Sequence, residues 1–292
     1  MTPTIPGFET RHVRAADGVA LHTAVGGQGD AIVLLHGFPQ THLMWRHVAA
    51  DLAHDHTVIC PDLRGYGASD KPIATDESTY AKRTMGSDVV ALARELGFER
   101  FALAGHDRGA LVAFRTALDH PGAVTHLATL DVLPTLDMWE ILRGADARVA
   151  WHLYLMAQPA GLPEVMIEST ADGFFGSFLD GWTGRPDAIP AEVRAEYLRA
   201  SREAVPSIVA DYRASAGIDL EHDRADRAQG RTLPMPTLVV QQDWGARLGY
   251  DAAALWGAWA TDLVHRTLAV GHFMAEESPE TITAELRRLL TR

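Results

Sequence analysis

The sequence predicts an α/β fold: a mostly parallel central sheet flanked by helices, with a helical insertion. Three observations point there. Short apolar runs alternate with helical-period stretches of about 10–15 residues. Four turn-rich motifs, at residues 36–39, 62–67, 105–109 and 130–134, each lie at the carboxyl end of such a run, where open parallel sheets bind ligands. Residues 134–228 break the alternation, with helical periodicity around 139–157, 191–200 and 203–214 and little strand character.

Taken in order, residues 8–25 alternate loosely around Ala16-Asp17-Gly18, the pattern of an edge hairpin. After a loop at 26–30, Ala31–Leu35 is apolar throughout, which predicts a strand covered on both faces. A helix follows at about 45–52, then the strand Thr57–Cys60 and a glycine-rich connection through Asp70. Residues 80–96 have the period of an amphipathic helix, closed by Gly97. Phe101–Ala104 predicts a strand and Ala110–Leu118 a helix, stopped near His120-Pro121-Gly122. Leu127–Leu133 predicts the next strand, with Asp131 at its carboxyl end and Pro134 breaking it. Beyond the insertion come a strand at Pro236–Gln241, a helix near 250–260, a last strand at Val264–Val270 and a helix from Ala275 to Leu290. Residues 1–133 and 229–292 are thus expected to form one core domain, and 134–228 a helical cap over the sheet edge. Most of the cap aromatics (Trp139, Trp151, Phe174, Phe175, Phe178, Tyr197) are expected to be buried.

A net charge of -12 argues against nucleic acid or an anionic membrane as partner. The single cysteine, Cys60, excludes an internal disulfide and suits a reducing compartment; its apolar surroundings mark it as a small core residue. The first residues lack a basic start followed by an apolar run, and no stretch reaches the roughly 18 apolar residues of a membrane span. A cytoplasmic protein is expected.

The chemistry centres on Gly105-His106-Asp107-Arg108-Gly109, a G-x-D-x-G form of the nucleophile elbow between a strand and a helix. The glycines let strand and helix approach closely, so the middle residue can take a strained backbone and point outward. A carboxylate there is a usable nucleophile toward saturated carbon. Read alone, the motif is equally a turn with Asp107 as helix N-cap. His272, directly after the last strand in Gly271-His272-Phe273, is the candidate base. Its carboxylate partner is Asp131 or Asp243; both satisfy the chain order nucleophile, acid, histidine.

Taken together, HGFPQTHLMW (36–45), DLRGYGASDKP (62–72), AGHDRGA (104–110), LDVLPT (130–135), WHLYLMAQP (151–159), DYRA (211–214) and GHF (271–273) resemble the α/β-hydrolase superfamily over essentially the full chain. Within it the chain is most similar to fluoroacetate (haloacetate) dehalogenases, with epoxide hydrolases and haloalkane dehalogenases as cousins. The resemblance implies Asp107 as nucleophile, His272 as base and Asp131, rather than Asp243, as its partner. It implies an oxyanion hole of the Phe38 and Arg108 backbone N–H groups, leaving-group contacts from His152 and Tyr212, and Trp182 as a cap residue lining the pocket. It calls for no cofactor or metal, only a small-molecule substrate and water, and it suggests a homodimer through the cap.

Two positions depart from the dehalogenase pattern. Leu111 stands where a second arginine is expected, one helical turn after the nucleophile. Leu153 replaces the tryptophan that follows the cap histidine. Arg108 alone would meet a substrate carboxylate, and the pocket should be roomier and more apolar, which suits larger or neutral substrates. These two leucines disfavour a small haloacid, whereas His152, standing where epoxide hydrolases typically carry a second tyrosine, favours dehalogenation; carbon–halogen hydrolysis is expected, with epoxide opening as the alternative. Other chemistries are disfavoured. No G-x-S-x-G occurs for a serine esterase, and the whole nucleophile–acid–base set argues against an idle ligand-binding relative. His54-Asp55-His56 and Glu221-His222-Asp223 read as a solvated loop and a helix end, not metal sites.

Overall fold

The apolar runs become one sheet. The computed structural model describes residues 3–15, 17–243 and 248–292. Its strands are β1 (Glu9–Arg14), β2 (Ala20–Gly27), β3 (Ala31–Leu35), β4 (Thr57–Pro61), β5 (Phe101–His106), β6 (Val124–Leu130), β7 (Thr237–Gln241) and β8 (Leu263–Thr267). They lie in the order β1-β2-β4-β3-β5-β6-β7-β8. β1 and β2 run antiparallel at one edge, and β4 through β8 are parallel to β3. Ala16, in the expected hairpin turn, lies outside the described residues.

Both faces of the central strands are covered, which is why they read as continuous apolar runs. Val33, Leu35 and Leu103 pack toward α2 (Lys82–Glu95) and α3 (Arg108–Asp119) through Val89, Leu92 and Phe114. Ile32, Leu34, Ala102 and Ala104 pack on the other side, with Val48 of α1 (Arg46–Leu52) and with Leu286 and Leu289 of the C-terminal helix Pro279–Leu290. Cys60 is buried in this second layer, and burial pushes its thiol above the usual range.

Some boundaries differ from expectation, each for a local reason. β6 spans Val124–Leu130, not Leu127–Leu133: Asp131 has a φ of 51°, in the left-handed region, and ends the strand. The last helix is split, because Pro279 has no N–H to continue the turn begun at Met274–Glu277. β8 stops at Thr267, three residues short of Val270.

Residues 135–228 are helical, with seven α-helices: α4 (Thr135–Ile141), α5 (Trp151–Met156), α6 (Leu162–Glu168), α7 (Ala171–Gly181), α8 (Ala191–Glu203), α9 (Val205–Ala216) and α10 (Ile218–Ala228). Periodicity had not marked α6, α7 or α10, whose short spans interleave small and polar residues. Phe175, Phe178 and Tyr197 are buried as expected, whereas Trp151 is 46% exposed. Among the described residues no helix is long and apolar enough to cross a membrane.

Candidate active site

Asp107 links β5 to α3 at φ 49° and ψ −117°, a strained conformation for a residue with a Cβ. The flanking glycines make the turn possible. A Cβ on Gly105 would lie 2.3 Å from the Gly109 carbonyl oxygen, and one on Gly109 would lie 2.3 Å from the His36 carbonyl oxygen. No larger residue fits either position without moving backbone. The turn presents the Asp107 carboxylate to the loop after β3, where the Phe38 N–H donates to Oδ1 at 2.7 Å. Arg108 opens α3, so the helix leaves its backbone N–H unclaimed.

The other oxygen, Asp107 Oδ2, stands 3.9 Å from His272 Nε2. His272 lies in the loop after β8, and its Nδ1 meets Asp131 Oδ2 at 2.6 Å. Of the two acids left open by the residues alone, Asp131 is the one Nδ1 reaches. Asp131 is fixed in turn by Gln242, whose backbone N–H donates to Oδ1 at 3.1 Å and whose Nε2 donates to Oδ2 at 2.7 Å. Burial presses the His272 imidazole downward, but the Asp131 hydrogen bond and charge, with Asp107 and Glu277 beyond, outweigh it and hold its pKa above the ordinary value. Burial likewise works against the charged form of Asp131, yet the His272 and Gln242 bonds keep its pKa below the carboxylate norm. His272 Nε2 is buried without a protein hydrogen-bond partner.

The cavity above Asp107 has a volume of about 130 Å³. Every other predicted contact residue except Phe38 lines it directly: Arg108, Leu111, His152, Leu153, Trp182 and Tyr212. Phe38 closes it from behind, with its ring 5.4 Å from Tyr212 and 6.2 Å from His152. Burial pushes the His152 imidazole down to about 3, so it is a neutral ring at neutral pH. Its Nδ1 is buried without a partner. Burial, with the nearby Asp107 charge, lifts the Tyr212 phenol well above its usual range, so it keeps its proton. The Trp182 carbonyl accepts the His272 backbone N–H at 2.9 Å, tying the helical segment to the loop after β8.

Arg108 is held on several sides. Its Nε donates to Asp211 Oδ2 at 2.8 Å, Nη2 donates to the Asp211 carbonyl at 3.0 Å, and its guanidinium lies 4.1 Å from the centre of the Tyr212 ring. Asp211 also takes Lys82 Nζ and, at 2.6 Å, the Tyr66 hydroxyl. In the sequence, Asp211 has no role beyond membership of DYRA. Gln242 and His106 were missed too. His106, inside the elbow, places Nε2 2.8 Å from the His272 carbonyl and its ring 4.5 Å from the imidazole. Residue type signals none of these three; only the fold brings them beside Arg108, Asp131 and His272. Leu248 and Tyr250 also line the cavity, in a stretch for which periodicity indicated only a helix near 250–260.

Among the described residues, His22, His42 and Asp62 form a group with ligand-type atoms within 4.8 Å of one another. Its carboxylate is already committed. Asp62 Oδ1 accepts from the His42 backbone N–H and faces His42 Nδ1, both at 2.8 Å, and Oδ2 accepts from Ala68 N–H at 2.9 Å. Neither His54-Asp55-His56 nor Glu221-His222-Asp223 belongs to it.

The model of the alpha/beta hydrolase fold family matches residues 30–279. A fluoroacetate dehalogenase from Burkholderia sp is 42% identical over 291 residues, covering 98% of this chain and 94% of that protein. A soluble epoxide hydrolase from Corynebacterium sp. (strain C12) is 30% identical over 285 residues, 94% of each. A solved structure from Nostoc sp PCC 7120, provisionally described as an alpha/beta hydrolase, superposes with a TM-score of 0.94 at 36% identity, covering 99% of this chain and 100% of that one.

Proposed function

Because the chain belongs to the alpha/beta hydrolase fold family and is a hydrolase, we propose that it cleaves the carbon–halogen bond of a small organohalide or haloacid through an ester on Asp107. One observation carries this reading. The two Asp107 oxygens have different surroundings, Oδ1 on the Phe38 N–H at 2.7 Å and Oδ2 open toward His272 at 3.9 Å. In the first step Oδ2 attacks the carbon from the side opposite the halogen, and the halide departs with the bonding pair. His152 and Tyr212, both uncharged hydrogen-bond donors, receive it. Oδ1 becomes the carbonyl oxygen of the ester. In the second step His272 Nε2 takes a proton from water, and the resulting hydroxide adds to the ester carbonyl carbon. Charge builds on Oδ1, where the Phe38 and Arg108 N–H groups stabilise it. Collapse breaks the ester bond, the alcohol leaves with the proton from His272, the second proton of the water is lost to solvent, and the water oxygen stays in the Asp107 carboxylate. Residues 134–228 act as the cap, supplying His152, Trp182 and Tyr212.

A second reading is favoured by Tyr212. Its hydroxyl keeps its proton and is free of protein partners among the described residues. The same nucleophile and base would then open an epoxide, with Tyr212 protonating the tethered alkoxide. Incubation with chloroacetate, fluoroacetate, a longer 2-haloacid, the neutral bromoacetamide and styrene oxide, with halide and diol measured, separates the two. Halide release is expected; diol without halide would overturn the first reading. Asp107→Asn should abolish both, and full activity in that variant would remove the shared mechanism.

A further inference from the structure

Resting on that reading, we infer that the substrate is neutral and about the size of benzene, not a carboxylate. The cavity of about 130 Å³ is close to the size of engineered apolar cavities that bind benzene. Its wall beyond the reacting groups is mostly apolar, including Leu111, Leu133, Met138, Leu142 and Leu153, with Gln241 and Tyr250 as its other polar members. Its charged groups matter more.

Among the described residues lining the cavity, the acids and bases other than the neutral His152 and the tyrosines are Asp107, Asp131, His272 and Arg108. The two carboxylates share one imidazole. Arg108 does not redress the balance, because its charge is already matched by the buried carboxylate of Asp211, at 2.8 Å from Nε. Lys82, the next cation inward, is bound to Asp211 and lies 3.6 Å from Asp219. Asp107, Asp131 and Asp211 thus face Arg108, Lys82 and the His272 imidazole, with Asp219, whose carboxyl burial pushes toward its neutral form, behind Lys82; the surroundings of the nucleophile are neutral when the imidazole is charged and negative when it is not. An anionic substrate would have to draw Arg108 away from Asp211 or enter without a partner. A neutral substrate needs neither, and it covers the leucine wall.

The test compares bromoacetamide with bromoacetate, which differ little in size but by one charge. Each kcat/KM is divided by that compound's own second-order rate with acetate ion, which removes the difference in intrinsic reactivity. The amide is expected to be favoured by about tenfold to hundredfold, the size of one unbalanced like charge several ångström away at an effective dielectric of about 20. The bromoacetate rate should rise with added salt as the repulsion is screened, while the amide rate stays flat. Intact-protein mass measurement of His272→Gln with each compound gives the control. If an ester forms on Asp107 but bromoacetate equals or exceeds the amide after normalisation, the neutral-substrate inference fails and the aspartyl-ester mechanism stands. If neither compound yields an ester, the mechanism fails and the inference falls with it.

Discussion

Asp211→Asn is the substitution that most directly tests the electrostatic design under the cavity. The Asp211 side chain is 0% exposed, and its partners Lys82 and Arg108 are 3% and 2% exposed. The amide keeps an oxygen for the Arg108 and Tyr66 hydrogen bonds but removes the charge that balances two buried cations. Breaking a buried ion pair by removing one partner costs about 3–5 kcal/mol. At about 2.1 cal/mol/K per residue, a chain of 292 residues has an unfolding entropy near 0.6 kcal/mol/K, so Tm should fall by about 5–8 °C. Burial alone would raise the Asp211 pKa, but Arg108 and Lys82 overcome it and hold the carboxylate well below its unfolded value of about 3.9. A depressed folded pKa gives stability that is present above the unfolded pKa and lost as pH falls through the folded one. The gap between wild type and variant should therefore be constant from about pH 5 to 8 and shrink below about pH 4. Calorimetry across that range is the assay. A change in Tm below about 1 °C at pH 7, or a gap that widens in acid, would refute the charge-balance reasoning.

Four further outcomes are expected. His272→Gln should stop the cycle after the first step, so rapid-quench halide release ends at one equivalent per chain and the protein gains the mass of the substrate's carbon fragment; sustained turnover would exclude His272 as the base. Since the His272 pKa is held above 6.5 and the base must be neutral, the rate of ester hydrolysis should rise with pH, with a midpoint above 6.5. Asp131→Asn removes the leading upward influence, so that midpoint should move to lower pH while kcat drops by about 10²–10⁴-fold through loss of the oriented tautomer; an unchanged profile would exclude the Asp131–His272 pairing from catalysis. Leu111→Arg should raise haloacetate kcat/KM by about tenfold or more, because a second cation would stand beside the cavity with no carboxylate already claiming it. No gain would show that Leu111 does not meet the substrate.

Much of the architecture could be read from residue order. β3 matched residue for residue, because a strand covered on both faces must be apolar throughout. Asp107 could be singled out because its two glycines are a local requirement of the turn, and the contacts at Gly105 and Gly109 show why. Asp131 and His272 were legible as polar residues following apolar runs. Less legible were α6, α7 and α10, whose short amphipathic spans depend on neighbours for their burial.

The sequence by itself determined the strand–helix alternation and the strained elbow, since each follows from local sterics and hydrophobic period, but not where β6 and β8 end. Only the tertiary structure decided which acid meets His272, that Gln242 holds that acid by both oxygens, and that Asp211 already claims the Arg108 charge. Those contacts join residues about a hundred positions apart. Their energies depend on distance and burial, which the fold creates and no local pattern encodes.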